Sequence, residues 1–549
     1  MKVIHQILIL IGVTCLVYFP SLFNQFVWDD EQFVYKNQYV INFDLPKIFT
    51  TNTIAGAGQL SDYYRPLTTL SFALDHALWQ LTPFGFHLTS ISLHLAAGII
   101  LFLLLRELGL RRAALIIALI FLLHPLQTEA VTNISSRGDP LYAWFGLLSL
   151  WLLTISYRRR LPLQLTKASL LFLSSLFYFG AILAKEIGLM ILGLQLLIVF
   201  IVAVRESTHI KAFSKKIFNS ANGLYFLSTG GIALTYVLLR ATKLNFQNTF
   251  NLYQIQTEYT TQLSIRLLTF SKVLWIYFKL IIFPYPLYMD RTTGLVTSLM
   301  SPWPWLTGVL LLTITALAIW EIKQRRAAWI TCGSLWFLIS LSPVSGIIPI
   351  NGLLYEHWLY LPLVGWLITI YGIIYLIKVP APFLQKIKSL QLPKYFFMVL
   401  FSIYALLTIR QNWLERSPIP YYEYLLKHTQ SARIHNNLAM AYSEKQNYEP
   451  AIDHYQQALQ IADIYPQTHH NLGLLYAAQG DLVKAEREFT RAIELSPSFH
   501  FSYLPLINIY IQQKKIDRAL PLLETMITSY PDNQQLHQLK AALLKQQAM

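Results

Sequence analysis

Apolar runs of 17 to 20 residues alternate with short polar connectors from residue 3 to residue 411, and beyond that point the pattern changes character. A helix needs about 20 apolar residues to cross the hydrocarbon core of a bilayer. Eleven runs meet that length, near 3–22, 87–105, 110–127, 141–157, 168–184, 187–204, 223–239, 303–320, 328–345, 359–377 and 395–411. The first follows Lys2 and shows no small-residue cleavage site before Trp28, so it reads as an anchor and not a removed signal. A twelfth stretch, 264–283, carries Arg266, Lys272 and Lys279. Three such charges in one span cost a few kcal/mol each at mid-bilayer, so this stretch is expected to lie on the membrane surface as an amphipathic helix.

After residue 411 the apolar runs give way to a repeat. Steps of 34 residues join Leu438, Leu472 and Leu506; Tyr442, Tyr476 and Tyr510; and Ala451, Ala485 and Ala519. Pro497 pairs with Pro531, and Tyr455 with Phe489 and Leu523. That period with those residue types marks tetratricopeptide repeats, helix pairs that bury their apolar faces by stacking and leave a groove for peptide or protein contact. Asp463 departs from the pattern where proline is expected, and Lys514 replaces the turn glycine Gly480. The expected class is all-α. A polytopic membrane domain spans 1–411, a linker or docking helix 412–431, and three repeats with a capping helix 432–549.

Composition agrees with a membrane chain. Of 549 residues 54% are hydrophobic and 13% charged, and the mean hydropathy is +0.43. Soluble domains carry about a quarter charged residues. Two cysteines, both in apolar runs, exclude a disulfide framework. The net charge of +15 is no nucleic-acid footprint, because residues 410–549 hold 13 basic and 13 acidic side chains. The excess lies in connectors such as Arg106–Arg112, Arg158–Lys167, Arg205–Lys216, Lys323–Arg326 and Lys378–Lys394. Basic connectors mark the cytoplasmic face, and an odd number of spans then puts the repeats on the opposite side.

The non-cytoplasmic loops hold both signs of charge. The first opens with Trp28-Asp29-Asp30-Glu31 and ends with Tyr63-Tyr64-Arg65-Pro66. Carboxylates at a membrane surface are costly unless they face water, a cation or a substrate, although Asp30-Glu31 equally suits a helix N-terminus. His87 and His94, seven apart, share a helix face and read as buried hydrogen-bonded groups. Later loops supply His124-Pro125 to Glu129, Arg137, Lys185-Glu186 and Glu356-His357-Trp358. Lys185-Glu186 alone is readable as an ion pair at a helical hairpin. Together the set suits an anionic lipid headgroup held by cations beside a carboxylate base. No metal-ligand spacing, P-loop, GxGxxG or GxSxG is present.

In order and spacing these motifs resemble the transmembrane-and-tetratricopeptide-repeat O-mannosyltransferases and their bacterial relatives, in the GT-C superfamily of membrane glycosyltransferases. The resemblance covers nearly the whole chain and is weakest in 200–300. It implies transfer of a sugar from a polyprenyl-phosphate carrier to an acceptor hydroxyl at the non-cytoplasmic face, with an acidic residue of the first outer loop as base. That matches Asp29 or Asp30. The family's arginine before the last-loop aromatic stretch is replaced here by His357-Trp358.

The expected reaction is a single inverting displacement needing neither metal nor cofactor besides the lipid-linked donor. Arg65, Arg137 and Lys185 are expected to hold the donor phosphate. His124, Glu129, Glu356 and His357 are expected to orient these groups. The repeats are expected to present a protein acceptor. The short tail without a retention signal leans toward a bacterial inner membrane over an endoplasmic reticulum. The competing readings are a scaffold or assembly factor acting through its repeats, and a glycolipid or transport protein.

Overall fold

The computed structural model describes residues 2–157, 166–206, 220–246, 258–323, 328–348, 350, 352–376 and 391–547. Arg158 to Arg160, Lys211, Lys215, Lys216, Arg325, Arg326, Lys378, Lys386 and Lys388 lie outside them. The sidedness expected from those basic connectors therefore stays a reading of the sequence. Among the described residues every regular element is helical. The chain divides into two compact units, residues 1–417 and 418–549.

Among the described residues of the first unit seven helices are long and apolar enough to cross a bilayer. They fall in Val3–Phe23, Pro83–Glu107, Lys167–Ala184, Glu186–Val204, Asn222–Ala241, Pro302–Glu321 and Leu392–Leu414. Ala114–Leu123 and Pro125–Val131 form an eighth only if counted as one element bent by 56°. The bend falls where Pro125 removes a backbone donor. Trp329–Val344 and Pro362–Leu376 are shorter apolar helices, and Gly138–Ile155 covers the remaining expected span.

Several of these helices keep their apolar side chains on the outside. Leu224, Leu227, Leu234, Trp305, Val309, Leu312, Phe396 and Leu406 are all exposed. Such faces are unfavourable in water and suit lipid. Small residues bring the inner helices close. A Cβ on Gly333 would meet Thr369 N at 2.4 Å, and one on Gly365 would meet Phe337 N at 2.4 Å. The Trp329–Leu341 and Pro362–Leu376 backbones thus pack through glycine, as helix pairs in lipid commonly do.

The charged stretch forms the helix Leu263–Ile282. Near its start Arg266 Nε donates to Gly346 O at 2.7 Å, and near its end Ile281 O accepts from His124 Nε2 at 3.0 Å. Tyr277 donates to Tyr355 O between them. Both ends are tied to the loops that follow Leu123 and Leu341, so the helix runs along that loop layer.

The boundary between units differs from the expected 411/412. Asn412 Nδ2 donates to Val17 O at 3.0 Å, and its Oδ1 accepts from Thr132 at 2.6 Å. Asn24 Nδ2 donates to its carbonyl at 2.9 Å. These bonds hold 412–417 in the first unit. Pro418–Leu426 is instead the opening helix of the second, with Tyr421, Tyr422 and Leu425 buried.

In the second unit three helix pairs follow, 432–444 with 448–461, 466–478 with 482–495, and 503–512 with 516–529, then a last helix over 534–547. The 34-residue positions form its core. Ala451, Ala485 and Ala519 are fully buried where helices cross, and Leu438, Leu472 and Leu506 pack beside them. The turn position of each pair is left-handed, at Gln446 (φ 59°), Gly480 (φ 82°) and Lys514 (φ 59°). Only glycine adopts this conformation without a Cβ penalty. Asp463, the departure from proline, accepts from His469 Nε2 at 2.6 Å, while Glu488 accepts from His469 Nδ1 at 2.7 Å.

Two outcomes follow for the repeats. Gln446→Gly and Lys514→Gly should each stabilise the unit by about 1 kcal/mol, read as a rise in its unfolding midpoint. The second concerns pH. Burial opposes the charge on His469, but its bonds to Glu488 and Asp463 outweigh burial and raise its pKa. A raised histidine stabilises the fold fully below about pH 6.5 and loses that effect as pH rises through its folded value. Amide exchange in 466–495 should therefore quicken from pH 6 to pH 8 beyond its intrinsic pH dependence, and His469→Gln should flatten that excess.

Candidate functional site

Six loop segments meet on one side of the first unit, and each meeting is made by a polar side chain. The first loop leaves Val3–Tyr18 through a 3-10 turn, Phe19–Phe23, and reaches Trp28 in a left-handed conformation (φ 57°). Asp30 sits at the N-cap of a short π-helix, Glu31–Tyr35, yet its side chain makes no cap bond to that helix. Asp30 Oδ2 accepts from Val27 N at 2.9 Å and Oδ1 from Ser135 N at 2.7 Å, across 105 residues. Burial pushes its carboxyl up to about 7, against these two backbone donors, which pull it down. Both oxygens therefore hold the loop. Asp29, next to it, is half-buried.

The three cations expected to hold phosphate are all at this layer, but each meets a carboxylate. Arg65 Nε donates to Glu186 at 3.0 Å, and its guanidinium lies 4.3 Å from the Tyr63 ring centroid. Lys185 Nζ meets both oxygens of Asp139 at 2.8 and 2.7 Å. Arg137 pairs with Asp75 at 2.6 Å. Its remaining donors reach Phe86 O at 2.7 Å, Ser90 at 3.1 Å and Ser71 at 3.3 Å.

Arg137 and Lys185, expected to hold phosphate, are thus each matched by a carboxylate. Their side chains are closed in by partners that compensate a buried charge, and neither faces open loop space. The hairpin reading of Lys185-Glu186 also changes, since each residue pairs with a different loop. Arg65 keeps 14% of its side chain exposed.

The orienting set separates in the same way. Glu129 and His357 come together, with His357 Nδ1 2.8 Å from Oε1 and His357 N donating to Oε2 at 3.0 Å. Glu356 pairs instead with Arg291, which the sequence reading did not single out, at 2.7 Å, and accepts from Tyr288 N at 3.0 Å. Burial raises Glu356 to about 7 against the pull of Arg291. His124, also expected to orient, bonds to backbone on both sides of its ring. Its Nδ1 accepts from Leu126 N at 3.3 Å and its Nε2 donates to Ile281 O, so the ring joins backbone segments at the bend.

His87 and His94 are buried and hydrogen-bonded, to Asn24 O at 3.2 Å and to Tyr360 at 2.6 Å. Among the described residues no three His, Cys, Asp or Glu side chains converge as metal ligands.

Asp75, Arg240, Arg291 and Glu415 had no role in the sequence reading. Glu415 is buried after the last long helix and accepts from Gln411 at 3.1 Å. Burial foremost, then the charges of Glu129, Glu356 and Asp30, raise it to about 8. One signal was available: every buried base needs an acid, and few acidic residues precede residue 410. Which acid serves which base depends on contacts 46 to 121 residues apart.

Residues 432–463 and 476–543 match tetratricopeptide repeat family models. Over 98% of its length the chain is 25% identical to Protein O-mannosyl-transferase TMTC3 of Mus musculus, and likewise to that of Homo sapiens. It is 33% identical to Protein O-mannosyl-transferase TMTC1 of Mus musculus over 34% of this chain and 21% of that one. The chain spans 62% of the length of the TMTC3 relatives.

Among solved structures it aligns with ArnT from Cupriavidus metallidurans bound to undecaprenyl phosphate at 13% identity and a TM-score of 0.38, covering 83% of this chain and 78% of that one. The Archaeoglobus fulgidus oligosaccharyltransferase aligns at 12% identity with a TM-score of 0.36, over 74% of this chain and 55% of that one.

Breaking one buried pair should leave its partner charged and uncompensated. Asp139→Leu or Lys185→Met should each destabilise the detergent-solubilised protein by about 3–5 kcal/mol. The double variant should recover most of that loss, and thermal unfolding of the four proteins measures the cycle.

Proposed function

We propose that this chain is a membrane glycosyltransferase. It moves a sugar, a mannose-like hexose, from a polyprenyl-phosphate carrier to a serine or threonine hydroxyl of a protein presented by the repeats, at the non-cytoplasmic face. The observation that carries the reading is that Asp30, Arg65 with Glu186, and Glu129 with His357 each tie separate loops of a lipid-facing helical unit to one another. Similarity to protein O-mannosyl-transferases along 98% of the chain supports the same reaction class.

In this reading Asp29 is the base. Asp30 has both oxygens committed to backbone donors, while Asp29 lies beside it, half-buried, directly after the left-handed Trp28. Backbone strain of this kind clusters where a side chain must be aimed. The acceptor oxygen attacks the anomeric carbon, its proton passes to the Asp29 carboxylate, and the bond from that carbon to the phosphate oxygen breaks. The electron pair leaves with the phosphate, and configuration inverts. Arg65 stabilises the charge that develops there. Arg137 and Lys185 act through their carboxylate partners, fixing the loops that carry Asp30 and Glu186. Glu129 and His357 brace the opposite wall. A phosphate-linked leaving group departs readily, so the reading requires no metal.

Asp29→Asn should lower transfer from a radiolabelled polyprenyl-phosphate sugar by about 10²–10⁴-fold, the usual worth of a general base. Asp30→Asn should lower both activity and the unfolding midpoint, since it alters the tie to Ser135. An Asp29→Asn protein that transfers sugar at the normal rate removes Asp29 from this role.

A further inference from the structure

We infer that the loop-side end of the Ser220–Ala241 helix completes the donor site, with Tyr236 and Arg240 holding the lipid-linked phosphate beside Arg65. This rests on the transferase reading above and adds residues that it does not use.

The first observation is an unpartnered hydroxyl. Tyr236 is 5% exposed, and its phenol oxygen has no hydrogen-bond partner among the described residues. Buried polar groups in native proteins are nearly always paired, and an exception calls for a ligand, water or ion. This one lies within electrostatic reach of Glu186, Arg240 and Arg65. It faces the charged cluster, not lipid.

The second is the use of the two guanidinium groups. Arg240 lies one turn beyond Tyr236 and so shares its helix face. Two of its nitrogens donate to the carbonyls of Asp62 and Leu244, which ties this helix end to the first loop. An arginine carries five N–H groups, and these two bonds use two of them. Arg65 meets Glu186 through Nε, and among the described residues no hydrogen bond from its terminal nitrogens is seen. Two arginine forks within electrostatic reach of one phenol hydroxyl make a donor set for the oxygens of a phosphate. Lys185 beside them is neutralised by Asp139, and Glu186 by Arg65, so these carboxylates are already matched.

The test uses the purified full-length protein in lipid nanodiscs, with undecaprenyl phosphate as the probe. Tyr236→Phe removes a hydroxyl that bonds to nothing among the described residues. A purely structural tyrosine would leave affinity unchanged, whereas a ligand contact would not. The expected result is a Tyr236→Phe protein that melts no lower than wild type and binds the probe about tenfold more weakly, as the loss of one charge-assisted hydrogen bond requires. Arg240→Gln should weaken binding at least as much.

Displacement of the probe by inorganic phosphate would identify the headgroup alone as the ligand, and failure to displace would add the lipid chain to what is recognised. Wild-type affinity in both variants overturns the inference. If both variants also keep the normal KM for a polyprenyl-phosphate sugar while Asp29→Asn is inactive, the transferase reading survives without it. Probe binding that depends on Tyr236, in a wild-type protein that transfers no sugar, refutes the transferase reading and keeps the site.

Discussion

A charge that is buried where water is scarce must be compensated, and the loop layer of this protein is built by meeting that demand. Arg137 with Asp75, Lys185 with Asp139, Arg65 with Glu186 and Arg291 with Glu356 join segments far apart in the chain. Each pair works as a staple because leaving one member alone costs more than the pair contributes. Neutral polar groups extend the same principle. Asn412 gathers the end of the last long helix, Val17 and Thr132, and Asp30 binds the first loop to the second. The helices beneath supply a rigid base, and the pairs decide where the loops stop.

Residues competent for chemistry are therefore fewer than the charged residues in the loops. Arg137 and Asp30 are enclosed by their partners and serve position. Asp29 and Arg65 are less enclosed, and they sit on the segments that those anchors fix, while Arg240 ties its own helix end to the first loop. The left-handed Trp28 fits this division, since a strained turn persists only where its surroundings over-determine it. The repeat unit follows another economy. Its core is small residues at a fixed step, and the left-handed turns at Gln446 and Lys514 are tolerated because stacking outweighs their local cost.

The hydrophobic pattern was enough to place the long helices and the repeats, because burial in lipid or in a stack is a property of each segment and its period. The charges of 264–283 were likewise enough to expect a helix apart from the spans, and Leu263–Ile282 runs along the loop layer. The candidate residues were legible as a group, since opposite charges in loops of one face must meet something. Their individual roles were not. Nothing local distinguishes Arg137, which is sealed by Asp75, from Arg65, which keeps a free edge.

Period, hydropathy and charge sign are local quantities, so the chain alone settled an all-helical, lipid-facing unit followed by tetratricopeptide repeats. Pairing is a relation across long stretches of chain. Only the folded arrangement decided that His124 joins backbone segments, that Glu129 meets His357, and that the first unit ends at 417 and not 411. The same holds for the Tyr236 hydroxyl, without a partner among the described residues and within electrostatic reach of two arginines. Coulomb and hydrogen-bond terms act over a few ångströms of space, and distance along a sequence carries little information about that separation.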